Sequence, residues 1–353
     1  MKKGFFIFVI TLMFVTACGD TDQPEVKTIK ITNASSANDA DAPVVIKIIL
    51  NTVNMRKSPN ISSPVVAKLP ANSKLEWLGQ VSKVTAPIKL RGVRYNDPWL
   101  YVKTNEGKTG WIYAATASVD STNNPSKSLQ QLLVRRRAQG FFGAEIVTAM
   151  DNYRAAYVQA NTSDKFANMY IYGLGLRDKM VQVLRKKAST DSQNPADMSW
   201  LDSLLPGYKH ARVAEGTAYY LFADYQQWAA KARQTSGVED DQFIELYQAI
   251  FPDAQEGFFP AWMEQISDYG ARSLLGRGIH KKILDKLDAL NASSSPFSEI
   301  LNSLKHEIIQ DITNTRNNFS EPVNKRKEEI RSILNAGYSI LSDKDKKALE
   351  NLL

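Results

Sequence analysis

The stretch "VNMRKSPNISSPVVAKLPANSKLEWLG", residues 53–79, decides the fold of the N-terminal part of the chain. Its apolar residues alternate with polar ones, and this two-residue period is typical of half-buried strands. Turn residues at Ser58-Pro59 divide it into short strands. A second stretch, "WLYVKTNEGKTGWIY" at residues 99–113, predicts a hairpin that turns at Asn105-Glu106-Gly107. Several short strands in close succession predict a small all-β barrel over residues 44–120.

The order and spacing of these two stretches resemble the bacterial SH3-like domain between Val53 and Tyr113. Family positions are occupied by Asn54, Arg56, Gly110 and Trp111. The resemblance implies a binding module. In many cell-envelope proteins such domains attach to peptidoglycan or its peptide, and in others they pack against a neighbouring domain. We expect Asn54 and Arg56 to satisfy backbone groups and Trp111 to fill the barrel.

One insertion departs from the family pattern. The segment "QVSKVTAPIKLRGVRYNDP", residues 80–98, stands where the family usually has only a few residues. We expect it to enlarge a loop beside the ligand face of the barrel.

Four aromatic residues are the candidate ligand contacts of the barrel, because rings offer large contact areas at low entropic cost. They are Tyr95, Trp99, Tyr101 and Tyr113. In "WLYV", Leu100 and Val102 form the apolar pair that belongs inside, so Trp99 and Tyr101 should face outward. Plain packing is the alternative role for all four.

The N-terminus predicts a signal peptide over residues 1–17. Lys2 and Lys3 precede an apolar run, residues 4–14, that is too short to span a bilayer, which takes about 20 residues. Small residues then lead into Cys18, and this order resembles the lipobox of bacterial lipoproteins. The resemblance implies that Cys18 carries lipid and that the bilayer is a partner.

The residues around this cysteine indicate the location of the mature chain. Cys18 is the only cysteine, so no disulfide can form within the chain. Residues 18–43 are rich in Asp, Asn, Ser and Ala and predict a flexible tether. Gly19, rather than an acidic residue, favours onward sorting to an outer membrane, with the protein facing the periplasm.

The formal charge of +7 is mild and forms no basic stripe, so we expect no nucleic-acid partner.

Residues 125–353 predict an all-α helical domain, which makes the chain a multidomain protein. Pro125, with Ser126 or Ser128 as cap, begins a helical period. We also expect helices over residues 208–235 and from Pro260 onward. Residues 200–272 contain 14 aromatic residues in 73, about twice the 10% of the whole chain. This aromatic block predicts either a dense core or a groove for a ligand or partner.

Catalytic and metal-binding constellations are missing from the sequence. The three histidines, His210, His280 and His306, are too widely spaced to share one helix face as metal ligands, and exposed or capping positions suit them better. We therefore expect no metal, no cofactor and no enzymatic activity. The remaining possibility is an acid site on a predicted helix, where Glu264 and Asp268 are four residues apart beside Trp262.

The sequence thus favours an envelope lipoprotein that acts as a binding or scaffold module and associates with peptidoglycan or an envelope protein. Two alternatives stay open. One is a cell-wall enzyme with its acid in the helical domain, and the other is an accessory subunit that docks a partner through the aromatic block.

Overall fold

Seven strands of the N-terminal region form one antiparallel sheet. The structure is a computed structural model, and it describes residues 43–120, 123–188, 193–213, 216–252, 258–267, 270–291, 295–314 and 318–353. The strands are β1 Val45–Ile48, β2 Thr52–Arg56, β3 Val65–Pro70, β4 Lys74–Leu90, β5 Val93–Lys103, β6 Thr109–Tyr113 and β7 Ala117–Val119. Their order in the sheet is β3-β2-β6-β5-β4-β1-β7. The predicted strand-rich N-terminal region is confirmed.

Alternation along these strands places one set of apolar side chains in a common core. The cluster contains Ile46, Met55, Leu75, Leu100, Val102 and Ile112. Leu100 and Val102 lie inside, as the period of two predicts, because successive side chains of a strand point to opposite faces. Leu129 and Leu133, from the helix that follows the sheet, close the same core.

The insertion at residues 80–98 is a two-stranded arm and not a loop. Strands β4 and β5 stay paired from Thr85↔Pro98 out to Leu90↔Val93 at its tip. The tip turns through Arg91 and Gly92, whose φ angles are 46° and 84°. Two positive φ angles in succession suit a tight hairpin, because they match the twist of its strands. The inserted residues therefore lengthen a hairpin that the rest of the domain already has.

The region after the sheet is mainly helical, as predicted. Its helices are α1 Asn124–Phe142, α2 Ala144–Gln159, α3 Ser163–Lys187, α4 Tyr225–Ala232, α5 Glu239–Ile250, α6 Ile279–Ala289, α7 Ser298–Thr313, α8 Val323–Ala336 and α9 Asp343–Glu350. Helix α1 is capped by Asn123, whose side chain accepts from the Ser126 N–H, so neither predicted serine is the cap. Ser342 and Asp345 form a capping box at the start of α9. Within the described ranges, no helix is both long and apolar enough to cross a bilayer.

Two hairpins replace predicted helices in this region. Residues 208–235 form β8 Tyr208–Val213, β9 Ala218–Ala223 and only then α4. Residues after Pro260 form β10 Met263–Ser267 and β11 Gly270–Ser273. The reason is visible in β9, where Tyr219 and Leu221 are buried on the face opposite Tyr220 and Phe222. Aromatic residues that alternate in this way fit a pleated strand better than a helix.

The sheet and the helices share a second core. A single apolar cluster contains Trp99 and Tyr113 of the sheet together with Phe141 of α1 and Trp228 of α4. The two regions that the sequence divides near residue 120 are therefore packed against each other through large aromatic side chains.

Candidate functional site

The outer face of β5 and β6 carries most of the predicted ligand contacts, and it lies under the helices. Tyr95, Trp99 and Tyr113 expose only 4%, 2% and 3% of their surfaces. Trp99 points away from the inner core, as predicted, and meets Tyr113 edge to face at 5.4 Å between ring centroids. Helix α1 then covers this face, so these three rings contact protein and not solvent.

The hydroxyl groups on this face are also engaged within the chain. Tyr113 Oη donates to the Ala86 carbonyl at 2.6 Å and accepts from the Asp97 N–H at 2.8 Å. Tyr95 Oη lies 3.5 Å from the carbonyl of Asp197, in the segment that follows α3. Burial raises the pKa of both phenols above the ordinary tyrosine value. Both side chains therefore stay neutral; the Tyr113 hydroxyl ties the arm to β6, and the Tyr95 hydroxyl reaches the helical region.

A buried ion pair joins the arm to α1. Arg137 donates from Nε and Nη2 to Asp97 Oδ2 at 2.9 and 2.7 Å. Its guanidinium also lies 5.5 Å from the centroid of Tyr95 and 5.8 Å from that of Trp200. Burial raises the pKa of Asp97, and the Arg137 charge opposes that rise. The pair thus neutralises two charges that the interface removes from water.

Contacts at the far end of the arm extend this interface. Arg91 Nη1 donates to the Pro195 carbonyl at 3.4 Å. Val93 forms an isolated antiparallel bridge with Ala188, directly after α3. Arg136 of α1 donates to the Ser82 carbonyl at 2.9 Å. The inserted residues 80–98 therefore dock the sheet onto the helical region along most of the arm.

Tyr101 is the predicted contact that keeps appreciable exposure. Its ring lies 5.1 Å from that of Trp111, and its hydroxyl bonds Thr109 Oγ1 at 3.1 Å. Trp111 lies on this outer face and does not fill the barrel, which corrects the expectation from the sequence. The reason is register: Trp111 pairs with Tyr101, whereas Ile112 pairs with the inward Leu100.

Two other family positions have structural roles. Arg56 Nη1 donates to the Ser63 carbonyl at 2.6 Å, so this side chain satisfies a backbone group, as expected. Gly110 has no room for a side chain, because an added Cβ would lie 2.7 Å from Met55 Cγ and 2.9 Å from the Arg56 carbonyl oxygen. Both residues shape the sheet.

A cleft of about 600 Å³ lies in the helical region, within the predicted aromatic block. Two groups of three rings line it. In the first, Tyr220, Phe222 and Phe258 are all within 4.9 Å of one another between centroids. In the second, Tyr225 and Phe251 lie 6.1 Å apart with nearly parallel planes, and Tyr247 is 5.7 Å from Tyr225. We call these the strand trio and the helix trio.

Charged groups stand among these rings. Arg177 of α3 donates from Nε to Asp178 Oδ1 at 2.9 Å and keeps a fifth of its side chain exposed. Glu307 of α7 also lines the cleft. Desolvation raises the pKa of Glu307 above its ordinary value, and nearby His306 opposes this. The cleft therefore combines flat apolar faces with a donor and an acceptor.

The acid site that the sequence proposed takes a different form. Glu264 lies on β10, not on a helix, and Asp268 is outside the described residues. Glu264 Oε2 accepts from Arg272 Nε at 2.7 Å and from Ser320 Oγ at 3.2 Å. These bonds hold the pKa of Glu264 below its ordinary value. A general acid needs a raised pKa, so this environment suits an ion pair.

A buried polar cluster around His280 escapes sequence analysis, because its members are far apart in the chain. His280 is fully buried, which corrects the expected exposed or capping position. Its Nε2 lies 2.8 Å from Asp311 Oδ2, which also accepts from Ser273 Oγ at 2.6 Å. Glu329 accepts from the N–H groups of Gly276, Gly278 and Lys281 where α6 begins. The cluster fixes the start of α6 against α7 and α8.

Comparisons with known proteins agree with the fold of the sheet. Residues 51–118 match the family model of the bacterial SH3 domain. No curated protein and no solved structure matches the chain. The family match begins just before β2 and ends within β7, so it covers most of the sheet, including the arm. The N-terminal sheet of this protein is therefore a bacterial SH3 domain, with a helical region docked against its outer face.

Proposed function

We propose that the protein is a lipid-anchored protein of the bacterial cell envelope that binds peptidoglycan and has no catalytic activity. The SH3 domain supports a wall ligand, because such domains commonly bind peptidoglycan. The lipobox-like sequence at Cys18 supports the anchor, and Gly19 supports an outer-membrane location facing the periplasm. The tether, residues 18–43, then separates the bilayer from the folded part of the chain.

The observation that carries this proposal is the docked SH3 domain. Tyr95, Trp99 and Tyr113 belong to a core shared with the helices, so the domain does not act as an independent module. The SH3 domain and the helical region instead present one common surface to the wall. Tyr101 and the cleft are accessible aromatic features of that surface.

Sedimentation with purified peptidoglycan tests the binding. The chain from residue 19 onward should pellet with insoluble peptidoglycan and stay in the supernatant without it. Binding should saturate at micromolar or weaker affinity, since one small face buries little area. A protein that remains in the supernatant at all peptidoglycan concentrations would overturn the proposal.

Lipid labelling tests the anchor. In cells, the wild-type protein should incorporate labelled palmitate and fractionate with the outer membrane. Cys18→Ser should abolish the label and leave an unprocessed precursor. A Cys18→Ser protein that is still cleaved and labelled would show that the anchor is elsewhere.

A wall-active enzyme is the second candidate, and one observation favours it. Glu307 combines a raised pKa with a position in an aromatic cleft, the environment that tunes a carboxyl group for general-acid chemistry. The test is release of soluble muropeptides from peptidoglycan. We expect none, and a release that disappears in Glu307→Gln would favour the enzyme.

A further inference from the structure

We infer that the cleft of the helical region is a carbohydrate site, which binds the glycan strand by stacking sugar rings on its aromatic walls. This inference deepens the proposed wall binding and rests on it for the source of the ligand. It assigns the contact to the helical region and not to the SH3 domain. The cleft has a volume of about 600 Å³, which lies within the range of roughly 300–1,000 Å³ for clefts that hold small ligands.

The rings supply flat apolar faces on two sides of the cleft. The strand trio is set by β9, where Tyr220 and Phe222 point to the same face because they are two residues apart. Phe258, with 47% of its surface exposed, extends that wall toward solvent. The helix trio lines the cleft with Tyr225 of α4, Tyr247 of α5 and Phe251 directly after α5, and the ring planes of Tyr225 and Phe251 are nearly parallel.

The polar groups exclude other classes of ligand. A purely apolar ligand, such as an acyl chain, would desolvate Glu307 and Arg177 without giving them partners, which is costly. An anionic ligand would face the Glu307 carboxylate. A simple cation would face the Arg177 guanidinium and leave most of the rings unused. A sugar ring has an apolar face for stacking and hydroxyl groups at its edge.

Those hydroxyl groups find complementary partners in the cleft. Arg177 uses Nε and Nη2 toward Asp178, and its Nη1 has no acceptor in the part of the chain that the structure describes. Glu307 likewise accepts no hydrogen bond from any described residue and can accept from a hydroxyl. The phenol groups of Tyr220 and Tyr247 can donate or accept. A donor, an acceptor and two groups of aromatic rings in one cleft fit a neutral, hydroxyl-rich ring.

The experiment uses the chain from residue 19 onward and the soluble tetramer of β-1,4-linked N-acetylglucosamine as probe. Isothermal titration should show saturable binding by the wild-type protein. Phe258→Ala removes one stacking ring and should weaken binding about threefold to tenfold, the factor expected for the loss of one aromatic contact. Glu307→Ala removes the acceptor and should weaken binding by a similar factor.

Matched controls lie outside the cleft. Tyr172→Ala removes an aromatic ring of similar exposure, 40%, from α3. Glu299→Ala removes an exposed carboxylate from the same helix as Glu307. Both should bind the tetramer like the wild type. Tyr220→Phe, which deletes only a hydroxyl group, replaces Phe258→Ala if circular dichroism shows that the alanine variant is unfolded, and it should also weaken binding.

The outcomes separate this inference from the proposed function. A wild-type protein that pellets with peptidoglycan but does not bind the tetramer overturns the carbohydrate site and leaves wall binding intact. Cleft variants that bind the tetramer as tightly as the controls also overturn it. Tetramer binding that the cleft variants lose supports the site, even if the protein does not pellet with intact peptidoglycan, in which case only the wall proposal fails.

Discussion

Arg137 of α1 holds the carboxylate of Asp97 from the SH3 arm with two nitrogens, both within 2.9 Å of Oδ2. The side chain of Asp97 is 1% exposed and that of Arg137 is 15% exposed, so the pair is almost fully removed from water. The Asp97 Oδ1 atom has no hydrogen-bond partner among the described residues. Loss of either partner therefore leaves a buried charge without compensation.

Asp97→Ala and Arg137→Ala should each lower the free energy of unfolding by about 3–5 kcal/mol. Arg135→Ala is the matched control. Arg135 lies on α1, as Arg137 does, and donates from two nitrogens to Asp151 of α2, but this pair lies at the surface. Loss of that exposed pair should lower the free energy of unfolding by less than about 1 kcal/mol. Urea denaturation measures all three values, and equal losses at the buried and exposed sites would contradict the interface described above.

Trp99→Ala and Tyr101→Ala should differ although the residues are two apart on one face. Trp99 is buried under α1, and its deletion should cost about 3–5 kcal/mol because it leaves a cavity. Tyr101 is only partly covered, so Tyr101→Ala should lower the free energy of unfolding clearly less than Trp99→Ala. Thermal unfolding of both variants tests this, and a fully stable Trp99→Ala protein would mean that the helices do not cover this face.

Unfolding of the intact chain should be a single transition for the SH3 domain and the helices adjoining it. The shared core couples them, since separation would expose Tyr95, Trp99 and Tyr113 together. Far-ultraviolet circular dichroism follows the helices, and tryptophan fluorescence follows both regions, with Trp77 and Trp99 in the sheet and Trp228 in α4. The two curves should coincide in urea, and two well-separated midpoints would show that the regions fold independently.

Gly110→Ala and Gly175→Ala should have opposite effects. At Gly110 the new methyl group meets a backbone carbonyl at 2.9 Å, which cannot yield easily, so we expect a loss of about 1–3 kcal/mol. At Gly175, inside α3, nothing lies within 4 Å of the added atom. Alanine there should stabilise the protein by up to about 1 kcal/mol through its higher helix propensity. Differential scanning calorimetry distinguishes the two signs.

Glu264→Gln should change the acid side of the stability profile. Hydrogen bonds from Arg272 and Ser320 lower the pKa of Glu264 in the folded protein, so its stabilising effect is full above the unfolded value of about 4.3. The effect is lost as the pH falls through the lowered folded pKa. Urea midpoints between pH 7 and pH 3 should therefore converge for the two proteins at low pH, and a constant difference would contradict the ion pair.

The SH3 domain could be predicted from sequence because its strands are short, alternate regularly and pair with near neighbours. The same period placed Trp99 on the outer face. The cover over that face could not be predicted, because it depends on Arg137 and Trp200, which lie 38 and 101 residues after Trp99 and have no periodic relation to the strand. The arm was misread for the same reason: its paired strands are half exposed and lack a strong apolar alternation.

The helical region shows a second limit of sequence analysis. The capping box at Ser342 is a local signal, because its two residues are three apart in the sequence. The sequence predicts a helix where β9 forms, because the alternation extends over only six residues, Ala218–Ala223, and the pairing with β8 is not a local signal. The aromatic block was recognised as core or groove, and the structure shows that it contributes to both.

The docked face of the SH3 domain also sets an order of events during synthesis. The last strand of the sheet ends at Val119, but its cover is complete only when Trp200 has been made. At about 5–20 residues per second the intervening 81 residues take roughly 4–16 s. For that time the chain lacks the cover that buries Tyr95, Trp99 and Tyr113 in the complete fold. We therefore expect these three rings to become buried only after α1 and Trp200 have been made.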